Sequence, residues 1–407
     1  MGTNNMYVRK KKKRRRPNAV SPRVYIIIGV LVAIIGVLLF LIFFRGREEI
    51  TELGAASFSL KDKSAVIIRN EVCIDSAEFS KLAYYKKEGE EVKAGDKLAT
   101  VYKLGYSDEL MQSLLNARED VYKAQMERIG STKDAKLEDM NANILAISER
   151  IKSSVMLDSG EDLDILKRLL DSVLAERMEY LRAKVQETET LRALYKTVED
   201  REKLIEAWSL DVDAPMDGIV SYYFDGYEQA MNAEKLGMLT STLISDAIAK
   251  KNSSTWTTDD KTRVCRVVAK NDWYIAFLTK ADELIRTAEG VSYEVSIDGI
   301  GVMTGVALEP VINGKEVINI LKFDCDIGEL IDVRSAKINV SASVSGIKVM
   351  SEAISSSGGV TYIELLFGEG RKMIRVDVLG VDGNMAIVRT HDEGDTLNEG
   401  VRYWNPK

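Results

Sequence analysis

The chain is poor in the residues that staple or arm most proteins. Its 407 residues hold three cysteines, Cys73, Cys265 and Cys325, and no Cys-x-x-Cys spacing. An odd, sparse set of thiols excludes a disulfide framework, although Cys265 and Cys325 could pair if folding brought them together. One histidine, His391, stands in a charged turn, His391-Asp392-Glu393-Gly394, and with scattered cysteines it makes no zinc site. Gly299-Ile300-Gly301 followed by Gly305 misses the dinucleotide spacing, and Gly314-Lys315 lacks the P-loop frame. No catalytic residue, metal-ligand set or cofactor site emerges, which argues against an enzyme. Proline occurs five times and never between Ser107 and Trp208, so nothing there breaks a helix.

Long apolar runs are also scarce, with one exception. Val24 to Phe44 is 21 residues without a charge. As a helix it would be roughly 30 Å long, the thickness of a bilayer core. Ahead of it lie eight consecutive basic residues, Arg9 to Arg16, then Arg23, and no acidic residue. That bias predicts a single-pass anchor in the cell membrane, with the N-terminus cytoplasmic and the body outside. A cleaved signal peptide fits poorly, because Phe-Phe-Arg-Gly follows the run where a small-x-small site belongs. The chain carries −7 and its first 23 residues +9, leaving −16 on the rest, which excludes a nucleic-acid-binding body.

Residues 45–62 read as a polar linker. From Ser64 to Tyr102 the pattern is short β, with turns at Gly89 and Gly95. From Ser107 to Trp208, Leu, Ala, Glu, Lys, Arg and Met dominate and apolar residues recur at spacings of three and four, as in Leu110, Leu114, Ala117 and Val121. Two arms of about 50 residues, each roughly 75 Å, predict an antiparallel coiled-coil hairpin interrupted near Gly130-Ser131-Thr132. The competing expectation is a compact helical domain. Beyond the arms, Gln229 to Lys250 is helical in pattern. From Thr262 on the chain reads as strands, with turns at Asn271-Asp272, Asn313-Gly314 and Asp382-Gly383.

A short repeat flanks the helical stretch. Leu82-Ala83-Tyr84-Tyr85 leads to Glu88-Gly89-Glu90, and Val220-Ser221-Tyr222-Tyr223 leads to Asp225-Gly226. Two like strand-and-turn pieces predict one small β domain closed across the insertion.

These pieces carry a family resemblance. Glu88 to Leu98 resembles the first lipoyl half-motif of HlyD-type membrane fusion proteins, the periplasmic adaptor subunits, and Ala214 to Ser221 is similar to the second half. Ser345 to Ile354 resembles the family's membrane-proximal strand signature, and Leu397 to Val401 its final turn. The resemblance implies a mixed α+β, multi-domain fold: a basic cytoplasmic tail (1–23), a transmembrane helix (24–44), a linker (45–62), and a lipoyl-like β domain in two halves (63–104 and 209–228). An α-helical coiled-coil hairpin (105–208), a helical segment and loop (229–260), a β-barrel domain (261–333) and a membrane-proximal β domain (334–407) complete it. Gly89, Gly95, Ala214, Pro215, Gly218 and Gly346 would be its structural motif residues.

The resemblance also implies a non-catalytic adaptor of an export or efflux system, partnered by an inner-membrane transporter (ABC-type or another permease) and self-associating into a ring. Arg150, Ile151, Ser154, Asp158 and Ser159 would lie at the hairpin tip as partner contacts. Family members that meet an outer-membrane channel carry an Arg, Leu and Ser/Thr pattern there. Around Ala146 to Leu166 that pattern has no match, which argues against a channel. A lipoyl carrier would present its modified lysine between the halves, where the helical insertion stands, so no lipoyl or biotinyl cofactor is expected. The alternative function is an envelope scaffold for cell division or wall assembly, with the hairpin as a binding rod.

Overall fold

The computed structural model describes residues 22–43, 46–130, 134–157, 163–251, 261–368 and 370–406. The basic run Arg9–Arg16 and the expected tip residues Asp158 and Ser159 lie outside the described residues. Helix α1 covers Pro22–Phe43, 22 residues whose one charge is Arg23. Among the residues whose side chains are described, no helix is long and apolar enough to cross a membrane. Within α1 that description leaves out Pro22, Val24 and residues 38–43.

The chain divides into two units, residues 1–57 with 343–407, and residues 58–342. In the first, strands Arg47–Ile50, Arg402–Asn405, Val360–Phe367, Gly370–Asp382 and Met385–Thr390 lie side by side in that order. The expected linker is therefore largely strand. Arg47 to Ile50 pairs antiparallel with Asn405 to Arg402, so its polar residues serve an edge strand. The core of this unit is Ile363, Leu365, Ile374, Val376, Val388 and Tyr403. Gly346 faces the carbonyl of Val388, where a Cβ would come within 2.9 Å.

In the second unit, six strands close a barrel. Strand Ser335–Met350 pairs with Ser292–Ile297, which pairs with Gly301–Ala307; Glu316–Phe323, Thr262–Lys280 and Glu52–Ser76 follow, and the last pairs back to the first. The sequence boundary at 261–333 was too narrow, because strands from both ends of this unit complete the barrel. Trp273 stacks on Phe323 at 4.3 Å and Phe58 meets Tyr293 edge-on at 4.8 Å in its core. Asn271-Asp272 is no turn, since Thr262–Lys280 runs straight through it. Asn313-Gly314 and Asp382-Gly383 do turn between paired strands.

Residues 227–247 explain why Val66 and Ile68 are apolar as well as Ala65 and Ile67. Ala65 and Ile67 face the barrel interior, while Val66 and Ile68 pack outward against Tyr227, Met231, Leu243 and Ile244. A strand covered on both faces loses the alternation of a half-buried one. The three thiols are free. Burial pushes those of Cys73 and Cys265 up to about 12, so neither is a thiolate at neutral pH.

Candidate functional site

The two β pieces on either side of the helices close into one sandwich. Strand Lys97–Lys103 pairs antiparallel with Ser209–Asp213, and Glu91–Val92 with Gly218–Ser221. The loops clasp reciprocally. Gly95 N donates to Ala214 O at 2.9 Å while Ala214 N donates to Asp96 O at 2.8 Å; Gly89 N donates to Val220 O and Val220 N to Glu90 O, both at 3.0 Å. Asp217 reaches back to accept from Ala94 N at 2.8 Å. Tyr84 and Tyr222, equivalent positions of the repeat, meet with ring centroids 4.2 Å apart.

The motif residues act for different reasons. Gly89 and Gly95 sit at φ +79° and +87°, where an L side chain is strained. Gly218 does not need a special turn. A Cβ on it would fall 2.3 Å from the carbonyl oxygen of Val268 on the neighbouring strand. Ala214 is buried, and Pro215 forms the exposed bend between the two short strands.

The helical insertion differs from the expected rod. It comprises α2 (Asp108–Ile129), α3 (Ala135–Leu157), α4 (Leu163–Arg182) and α5 (Glu189–Trp208). Ser107 caps α2 by accepting from Glu109 N, and Thr188 caps α5 by accepting from Leu191 N. Gly130 ends α2 at φ +66°, as its residue type suggests. The second arm breaks at Ala183–Thr188, which holds neither glycine nor proline. Arg118 and Gln125 of α2 meet Glu202 and Tyr195 of α5, so these helices are antiparallel. The same two residues meet Asp171 and Met178 of α4, so α2 and α4 run parallel. Helix α4 pairs antiparallel with α3 through Arg177 and Asn141.

The arms therefore fold at mid-length into an up-down-up-down bundle of helices about 33 Å long, not a hairpin of 75 Å. The start of α4 returns to the sandwich. Arg168 donates to the Tyr84 carbonyl, and its guanidinium lies 3.8 Å from the Tyr85 ring centroid. The expected tip contacts are displaced accordingly. Counting back from the Arg177–Asn141 pair puts Arg150 about level with Arg168, at the base of the bundle, and Ser154 is buried.

What the sequence did not disclose is a buried ionic cluster where sandwich meets barrel. The strands Glu52–Ser76 and Thr262–Lys280 run through both, and their pairing register shifts between Arg69 and Glu71. There Arg266 donates to Glu71 at 2.7 Å and Asp332 at 3.0 Å. Arg334 donates to Glu71 at 3.2 Å and Asp225 at 2.8 Å. Arg69, fully buried, donates to the carbonyls of Val333 at 2.7 Å and Leu330 at 3.3 Å. Burial, with Arg334 beside it, brings the Arg69 guanidinium down to about 10. Three guanidinium groups face three carboxylates, so the cluster is neutral. The available signal was a single charge inside each apolar run, Arg69 after Val66-Ile67-Ile68 and Arg266 before Val267-Val268.

Burial pushes the Asp225 carboxyl up, but the charge and hydrogen bonds of Arg334, the Tyr227 backbone N–H and the charge of Arg69 outweigh it and hold the group at about 2, against an ordinary 3.8. A depressed carboxyl contributes stability above its unfolded value that is lost as pH falls through its folded one. The denaturant midpoint of wild type is expected to fall between pH 4 and 2. Asp225→Asn should have a lower midpoint at pH 7 and a shallower acid decline, measured by fluorescence-monitored urea unfolding.

Residues 71–268 match the family described as an RND-related barrel-sandwich hybrid domain. No curated protein matches the sequence. Among solved structures the chain is similar to ZneB from Cupriavidus metallidurans, with 15% identity, 88% of this chain and 92% of that one covered, and a TM-score of 0.32. It is similar to MacA from Actinobacillus actinomycetemcomitans, with 14% identity, coverage of 87% and 98%, and a TM-score of 0.32. For the membrane fusion protein Spr0693 from Streptococcus pneumoniae R6 the identity is 12%, the coverage 69% and 97%, and the TM-score 0.28.

Proposed function

We propose, from the match of residues 71–268 to the RND-related barrel-sandwich hybrid domain, that this chain is a membrane fusion protein, a non-catalytic adaptor of an export system. Its sandwich and helices are presented outside the cell membrane by a single N-terminal span. Helix α1 would be that span, with the basic tail held in the cytoplasm. The partner would be an inner-membrane transporter, ABC-type or another permease, and several copies would assemble around it. The observation that carries this reading is the family match on a domain whose two halves close across a helical insertion. The cluster of Arg69, Glu71, Arg266 and Arg334 would fix how the sandwich stands on the barrel, so that movement of a transporter is passed on and not absorbed.

The full-length protein, purified in mild detergent from its own membranes after in-cell crosslinking, is expected to bring down a polytopic permease. Deletion is expected to lower export of that permease's substrate. Isolation without a polytopic partner, together with normal export and misplaced septa in the deletion strain, would favour an envelope scaffold.

A further inference from the structure

One face of the sandwich is covered but not filled. Strand Phe79–Tyr84 pairs with Lys97–Lys103 through Lys81–Tyr102 and Ala83–Thr100. Side chains alternate along a strand, so Leu82, Tyr84 and Val101 enter the sandwich core, while Lys81, Ala83, Tyr85 and Tyr102 share the opposite face. That face meets the first turns of α2 and α4, and between them lies a cavity of about 220 Å³. Ala83 on the strand gives it a small floor, and Tyr85, Tyr102 and Tyr106 line it with rings. Met111 and Leu115 of α2 and Leu170 of α4 add apolar surface opposite. A cavity of about 150 Å³ takes up benzene, and drug-sized ligands need about 300 Å³ or more, so this one fits a single substituted ring.

The charges around the cavity are unbalanced. Of its two carboxylates, Asp108 is taken by Lys81 at 2.8 Å and Asp171 by Arg118. Lys167 and Arg168 are left, and among the described residues neither has a carboxylate partner. Lys167 is exposed. Arg168 donates through Nη2 to the Tyr84 carbonyl, but its Nη1 is buried without a hydrogen-bond partner, which is costly. The hydroxyls of Tyr102 and Tyr106 also lack a hydrogen bond among the described residues. Burial pushes both up, Tyr102 to about 12, so each keeps a proton to donate at neutral pH. Tyrosine faces can also hold cations. Here the Tyr85 ring already has the Arg168 guanidinium 3.8 Å and Lys97 Nζ 4.9 Å from its centroid, so a further positive charge is repelled.

We infer that this cavity is a binding site for a small aromatic acid, with one ring over Ala83 between the tyrosines and a carboxylate turned to Arg168, Lys167 and the free phenol hydroxyls. Its ligand supplies the negative charge that the seam lacks. The site goes beyond the adaptor reading and does not depend on a transporter being the partner.

Saturation-transfer difference NMR on the full-length protein in nanodiscs, with empty nanodiscs as the blank, tests it with benzoate, benzamide and benzyltrimethylammonium. Benzoate is expected to bind with a Kd of about 1 mM, as suits so small a ligand, and benzamide about tenfold more weakly for want of the charge. Lys167→Gln, a change at an exposed position that leaves packing intact, should weaken benzoate about threefold. Lys167→Gln with Arg168→Gln should weaken it about tenfold, and Tyr106→Phe, which keeps the ring, about threefold; none of these should alter benzamide binding by as much. Absence of a saturable benzoate signal at about 20 mM would overturn the inference. So would an unchanged benzoate affinity in the charge variants, which would place the probe elsewhere. Tighter binding of benzyltrimethylammonium than of benzoate would overturn it as well, by making the tyrosines a cage for cations.

Discussion

Gly218→Val is expected to lower the melting temperature by about 8 °C, a loss of about 3 kcal/mol from backbone overpacking in a unit of this size. The reason is distance. The first carbon of any side chain at 218 would stand 2.3 Å from Val268 O and 2.9 Å from Val267 Cγ1. A carbonyl in a ladder cannot turn aside as the end of a flexible side chain can. The strand Gly218–Ser221 must then part from Thr262–Lys280, to which it pairs through Ile219–Val268 and Val220–Val267. That parting opens the core around Leu98, Val101, Val220 and Val267. Gly89→Ala is the control. Nothing lies within 4 Å of its Cβ, and the penalty is only that of φ +79°, about 1 kcal/mol. Differential scanning calorimetry of the two variants distinguishes them; equal shifts would show that turn conformation, and not close approach, governs both.

Glu71→Ala is expected to cost about 3–5 kcal/mol, because it leaves buried guanidinium groups without their shared counter-charge. Glu71 takes Arg266 on one oxygen at 2.7 Å and Arg334 on the other at 3.2 Å, with Arg69 Nη1 3.8 Å away, and it is itself buried. Lys203→Ala removes an ion pair to Glu199 with both partners largely exposed and should leave the urea midpoint unchanged. Glu71→Met combined with Arg266→Met should recover part of the loss, since the pair is removed whole and replaced by apolar volume. If Glu71→Ala unfolds at the wild-type urea concentration, the cluster does not hold the joint.

The outer layers of this structure were legible in the chain. Apolar spacing of three and four foretold helix between Ser107 and Trp208, Gly130 marked the end of α2, and the like tetrapeptides at Leu82–Tyr85 and Val220–Tyr223 foretold that distant pieces would close together. The boundary of the barrel was not legible. Val66 and Ile68 are apolar because residues 227–247 cover them, and a strand buried on two sides carries no alternation to read. The break at Ala183–Thr188 was silent as well, for its residues are tolerable helix formers.

The sequence by itself determined where most of the helices and strands would form, and that one apolar segment of membrane-spanning length precedes an acidic body. Those properties depend on residue type and short spacing. Only the tertiary structure decided that the helical arms double back, that Arg168 meets Tyr85, and that Arg69, Glu71, Arg266 and Arg334 share one buried cluster. Each of those depends on residues far apart in the chain. Their pairing is chosen by which apolar faces can be covered at once, and local pattern holds no record of that choice.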